Sequence, residues 1–172
     1  MKKILAALAV SAIPFSAAQA AIDGTTASAT GSAGTVVITP IQVSHDTGAT
    51  LSFGTIMGTT INSTMRVGTD GTNTGSTGAI AWATGSKTSA DAFTITGEPN
   101  KAITISVPNV ITMTGTGTGA PTLSVFPSLS QATGTLSSTG TLKFTVGGYY
   151  SVALPPASGT YSGTYQVTVA YN

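Results

Sequence analysis

The chain has 172 residues, no cysteine and one histidine; charged residues make up only 6% of it, and its formal net charge is +1. An ordinary soluble domain is about one quarter charged, so Thr, Ser, Gly and Asn must cover this surface, and copies of the chain repel one another weakly. The composition excludes a basic surface for nucleic acid or anionic lipid, a disulfide framework and a zinc site built from His and Cys.

Residues 1–20 read as a secretory signal peptide. Lys2 and Lys3 open it, residues 4–15 are apolar, and Ala18-Gln19-Ala20 supplies an A-x-A cleavage site. Its removal leaves 152 residues, enough for one domain with a core. Arg66, Lys87, Lys101 and Lys143 then face Asp23, Asp46, Asp70, Asp91 and Glu98, a net charge of −1. The expectation is export through the periplasm to the cell surface, with no membrane insertion after cleavage.

Residues 21–44 form an N-terminal extension. Residues 21–34 are small and polar, without a period. Residues 35–44, Thr-Val-Val-Ile-Thr-Pro-Ile-Gln-Val-Ser, read as a strand with an edge or bend at Pro40. Val37, Ile41 and Val43 supply its apolar grip, or else their alternates Val36 and Ile38; a one-residue slip exchanges the faces.

Residues 45–172 form the domain proper. His45 to Gly48 reads as a turn, and Leu51, Phe53 and Ile56 face a core. Short strands follow around Met65-Arg66-Val67, Trp82, residues 93–97, 103–107 and 110–114, and Leu123-Ser124-Val125-Phe126, the last ended by Pro127. Gly68–Gly78 and Gly115–Gly119 read as loops. Residues 142–146 and 149–154 read as two strands parted by Gly147-Gly148. Ile103, Ile105, Val107, Phe144, Val146, Val167 and Val169 are expected to share one core. Residues 165–171 alternate strictly: Tyr165, Val167, Val169 and Tyr171 share one face, and Gln166, Thr168 and Ala170 the other. Many short alternating segments with Gly, Pro and Asn punctuation specify an all-β antiparallel sandwich.

No catalytic or metal-binding group is expected, and no cofactor. A nucleophile–base pair would have to use His45, which reads as a turn residue, so its replacement by Ala should be silent. The acids read as single loop residues, with neither a calcium-loop spacing nor a glycosidase pair. Trp82, Tyr149, Tyr150 and Tyr161 offer faces for a sugar ring, or simply core and edge packing.

Several motifs carry a resemblance. Leu51-Ser52-Phe53-Gly54, a terminal alternating strand with penultimate Tyr171, and Gly159 fourteen residues from the end resemble subunits of chaperone–usher fimbriae and related spore-coat-like secreted proteins. Together with Phe93-Thr94-Ile95-Thr96-Gly97, Val146-Gly147-Gly148 and the run from Tyr161 to Tyr171, the same residues look like an uncharacterised family of secreted bacterial proteins. The fimbrial resemblance implies an immunoglobulin-like sandwich lacking one strand, completed by the N-terminal extension of another copy. It implies partners: copies of the chain in a homopolymer, with a periplasmic chaperone and an outer-membrane usher during assembly. Val36, Val37, Ile38, Ile41 and Val43 would donate; Gly159, Tyr165, Val167, Val169 and Tyr171 would line the strand that subunit and chaperone meet. The alternative is a monomeric surface or periplasmic module that binds glycan or protein.

Overall fold

The computed structural model describes residues 26, 28–57, 63–78, 80–117, 120–152 and 157–172. The signal peptide and Leu154 lie outside them. The chain divides into two units, Met1–Val37 and Ile38–Asn172. In the first, residues 28–37 form no strand and their side chains are exposed.

The second unit is all β among the described residues. Its strands are β1 (Gln42–His45), β2 (Ile56–Met57), β3 (Ser63–Val67), β4 (Asn73–Thr77), β5 (Ala81–Trp82), β6 (Asp91–Thr96), β7 (Ala102–Ser106), β8 (Ile111–Gly115), β9 (Leu123–Leu129), β10 (Thr133–Thr135), β11 (Thr141–Val152), β12 (Tyr161–Ser162) and β13 (Thr168–Tyr171). One sheet runs β1-β6-β11-β9-β8-β12, with β3 beside β11 and β4 beside β3; a second runs β10-β7-β13, and β2 pairs with β5. Every pairing is antiparallel.

Strand β11 organises the sandwich. One edge pairs with β6 along its first half and with β3 along its second; the other edge pairs with β9. Two apolar clusters result, and the residues expected to share one core, Val107 apart, all fall in the second. In the first, Met65, Val67, Ile111, Leu123, Val125 and Tyr150 pack under Phe53 and Ile80. In the second, Phe93, Ile95, Phe144 and Val146 pack against Ile103, Ile105 and Leu136. Half-buried Tyr165 touches both clusters. Residues alternate in and out along β6 and β7, as the pleat dictates. Burying each large aliphatic side chain contributes about 1.5–3 kcal/mol. The register partners Phe93 and Phe144 stack with centroids 5.3 Å apart. Val167 and Val169 are half-buried on the second cluster, as expected, whereas half-buried Val107 belongs to neither.

Several expected boundaries shift. The expected strand over residues 35–44 is ordered as a strand only at β1, because only there does β6 offer a partner. Gly68–Gly78 contains β4, a wholly exposed edge strand. Strand β9 runs through Pro127, since β8 flanks it only over Leu123–Val125 and no ladder bond is required of the proline on that side. Gly147-Gly148 lies inside one continuous strand. A Cβ on Gly147 would meet the Gly68 backbone at 2.6 Å, so the glycine serves close approach rather than a turn.

Candidate functional site

The N-terminal segment from Thr39 to Ile56 and the C-terminal segment from Gly159 to Tyr171 meet along a seam. At one end Tyr171 Oη accepts the Glu98 N–H at 2.6 Å and donates to the Thr39 carbonyl at 2.8 Å. The Thr39 N–H donates to Glu98 Oε2 at 2.8 Å, closing the ring. That backbone bond holds the Glu98 carboxyl below its ordinary range, because it favours the charged form. Gly97 makes room for the clasp: a Cβ there would collide with the Tyr171 hydroxyl.

Midway, Asp91 joins three elements. Its side chain is 7% exposed, Oδ1 lies 2.6 Å from His45 Nε2, and Oδ2 accepts from Tyr165 Oη at 2.7 Å. A carboxylate only accepts, so the imidazole donates. Burial, then the bond to Asp91 and its charge, push the Tyr165 phenol upward. His45 is thus the last residue of β1 and a bridge to a buried acid, not a turn residue. Asp91 is a strand residue, not a loop acid. An ion pair nearby, Lys143 with Asp46 at 3.3 Å, is exposed on the lysine side. The Thr94 hydroxyl, more than the lysine, holds Asp46 below its usual value.

The far end of the seam is a cleft of about 500 Å³ between residues 50–56 and 159–163, with Met113, Leu123 and Tyr150 on its walls. Gly54, the glycine of Leu-Ser-Phe-Gly, turns here with φ +68°, and a Cβ would strike Ser86 and Lys87. Thr55 N–H donates to Ser86 Oγ and Trp82 Nε1 to the Phe53 carbonyl, which fixes the wall.

A family described as Domain of unknown function (DUF4402) matches residues 41–171. The chain belongs to this family. The DUF4402 match contains every strand from β1 to β13 and the whole C-terminal half of the seam, and begins just after the clasped Thr39. A comparison with curated proteins finds no match.

The residues singled out from sequence fall into two groups within this DUF4402 chain. Tyr165, Val167, Val169 and Tyr171 share the half-buried face of the C-terminal segment, and Gly159 lines the cleft. Ile41 packs against its own second cluster, and Val43 pairs with Ile95 in its own sheet. Val36, Val37 and Ile38 lie outside any strand, 88%, 87% and 45% exposed. Thr39, Asp91 and Glu98 were not legible as site residues, because their partners are distant in sequence. Of the four aromatics that offer faces for a sugar, Tyr150 packs in the first cluster, and Trp82 and Tyr161 pack against it, Tyr161 donating to the Ala157 carbonyl. Tyr149 lies on the outer face, between Arg66 and Phe126. Among the described residues, no three His, Asp or Glu side chains come together as a metal site.

Proposed function

We propose that the chain is a structural subunit of a secreted bacterial surface fibre, in which the N-terminal segment of one copy adds to the sandwich of another. The observation that carries this reading is the run Val36, Val37 and Ile38: apolar, exposed and unpaired, directly ahead of a clasped Thr39. β-branched residues of this kind favour a pleated, half-buried strand. A surface almost free of charge supports close packing of copies. The contact is head-to-tail, so it propagates instead of closing. Export by way of residues 1–20, a periplasmic chaperone and an outer-membrane usher complete the proposal on the strength of the fimbrial resemblance. The reading assigns no catalytic role and no cofactor.

A second reading, a monomeric module that binds glycan or protein, draws support from one feature. Arg66, Tyr149 and Phe126 form a row across three strands of the outer face, the guanidinium 4.8 Å above the Tyr149 ring and the two rings 4.9 Å apart. The row already occupies both faces of Tyr149, which leaves little for a sugar to stack on. Gel separation of the purified mature protein in mild detergent decides between the readings. A ladder of multimers is expected; a single monomer band at every concentration would favour the module.

A further inference from the structure

The outer face of the large sheet carries two ordered rows that run across its strands. Strand pairing sets Gly75 of β4 beside Arg66 of β3, Arg66 beside Tyr149 of β11, and Tyr149 beside Phe126 of β9. One step beyond the pair Ile111–Val125, Val110 comes opposite Phe126 at the entry to β8. The first row therefore reads cation, ring, ring, aliphatic, and it ends on a valine that is 44% exposed. Two residues further along each strand the second row is Thr77, Thr64, Ser151, Ser124 and Thr112, a hydroxyl at every position. On the other side of the first row Gly147 pairs with Ser128. Arg66 is the one charge in these rows, and it has no ion pair among the described residues. An apolar stripe on an exposed sheet face, rimmed by polar side chains, is the usual mark of a contact surface.

We infer that this face is a lateral contact between copies, and that its occupant is the same face of a second copy, which joins neighbouring fibres side by side. The inference rests on the fibre reading and concerns a contact separate from the head-to-tail joint. The rows are self-complementary. A two-fold axis along the strand direction, between β11 and β9, lays the first row on its own reverse: Arg66 meets Val110 of the other copy, and Tyr149 meets Phe126. The hydroxyl row then falls on its counterpart, with Ser151 over Ser124 and Thr64 over Thr112. Aligned sheets cross at about 30°, an offset that the long Arg66 side chain spans. The guanidinium comes to rest on the apolar end of the partner's row, within reach of the Phe126 ring. Two arginines related by this axis stay about 14 Å apart, three strand spacings, and salt at physiological strength screens them beyond about 8 Å. No acid opposes them and no second cation repels them within the rows, so the face meets itself without a charge conflict.

The size of the face decides what kind of contact it makes. Five strands at about 4.8 Å and three rows at about 6.8 Å cover roughly 24 Å by 20 Å, or about 500 Å² per copy at most. A stable pair of proteins needs about 800 Å² on each partner. Two isolated copies therefore hold each other weakly through this face. Copies strung along two fibres present it repeatedly, and repetition multiplies a weak contact by about 10²- to 10⁴-fold. The contact thus belongs to assembled fibres and leaves the single subunit monomeric.

A charge-swap series on the mature full-length protein tests the pairing of Arg66 with Val110 across copies, read by light scattering and by fibre width in electron micrographs. Both side chains are exposed, so the unfolding midpoint should stay within error of the parent in every variant. Val110→Lys sets two cations against each other, and bundling is expected to need about tenfold more protein or to vanish. Val110→Glu gives the partner's Arg66 a carboxylate; bundles are expected to persist and to loosen as salt is raised. The double variant Arg66→Glu/Val110→Lys reverses the pair and should bundle as that single variant does. Equal effects of Val110→Lys and Val110→Glu, or no recovery in the double variant, would overturn the contact and leave the fibre reading standing, as would a parent whose fibres stay single. Strictly monomeric parent protein at every concentration would overturn both.

Discussion

Replacing Tyr171 by Phe deletes one oxygen and two hydrogen bonds, from the Glu98 N–H at 2.6 Å and to the Thr39 carbonyl at 2.8 Å. The ring remains packed on the second cluster, so the apolar contribution is nearly unchanged. Each bond is worth about 0.5–1.5 kcal/mol net. The Thr39 side is exposed and water replaces that partner, which places the expected loss at about 1–2 kcal/mol. With a urea dependence of roughly 1–3 kcal/mol per molar, the midpoint falls by about 0.5–1 M. Trp82, the one tryptophan, is half-buried beside Phe53 and reports unfolding by fluorescence. Gly97→Ala supplies a check on the mechanism. In the parent its methyl collides with the Tyr171 hydroxyl, so it should be less harmful in the Tyr171→Phe background. An unchanged midpoint for Tyr171→Phe, with additive effects in the double variant, would refute the clasp.

His45→Ala should lower stability by about 1–3 kcal/mol, because it strips one partner from a carboxylate 7% exposed; an unaltered urea midpoint would restore the turn-histidine reading. Alkaline titration gives a separate test. Burial raises the phenols of Tyr150 and Tyr165 above the ordinary value near 10. Above about pH 10 the folded state then holds protons that the unfolded state releases, so stability is intact below that pH and falls as pH rises. Phenolate absorbance from these two tyrosines should appear only with unfolding, and their ionisation at ordinary pH in folded protein would contradict their burial.

Alternation made much of the sandwich legible. Ile103 and Ile105 in β7, Phe93 and Ile95 in β6 and the Tyr165–Tyr171 face all point where a two-residue period directs them. Strand β4 escaped that test because Asn-Thr-Gly-Ser-Thr contains no apolar side chain; edge pairing with β3 alone orders it. Gly147-Gly148 and Pro127 read as punctuation, yet each answers a tertiary condition, backbone approach in one case and a missing neighbour strand in the other. The seam was half legible. Tyr165, Tyr171 and Gly159 stand out in a terminal strand, but Asp91 looks like any isolated acid until folding brings His45 and Tyr165 to it.

The central claim is that residues ahead of Thr39 join one copy to the next. Deletion of residues 21–38 from the mature chain, followed by electron microscopy beside the intact mature chain, tests it most directly. Because β1 and Ile41 stay with the domain, the shortened protein is expected to fold with the same Trp82 emission and to remain monomeric, while the intact chain forms fibres. Fibres of undiminished length from the shortened protein would contradict the account.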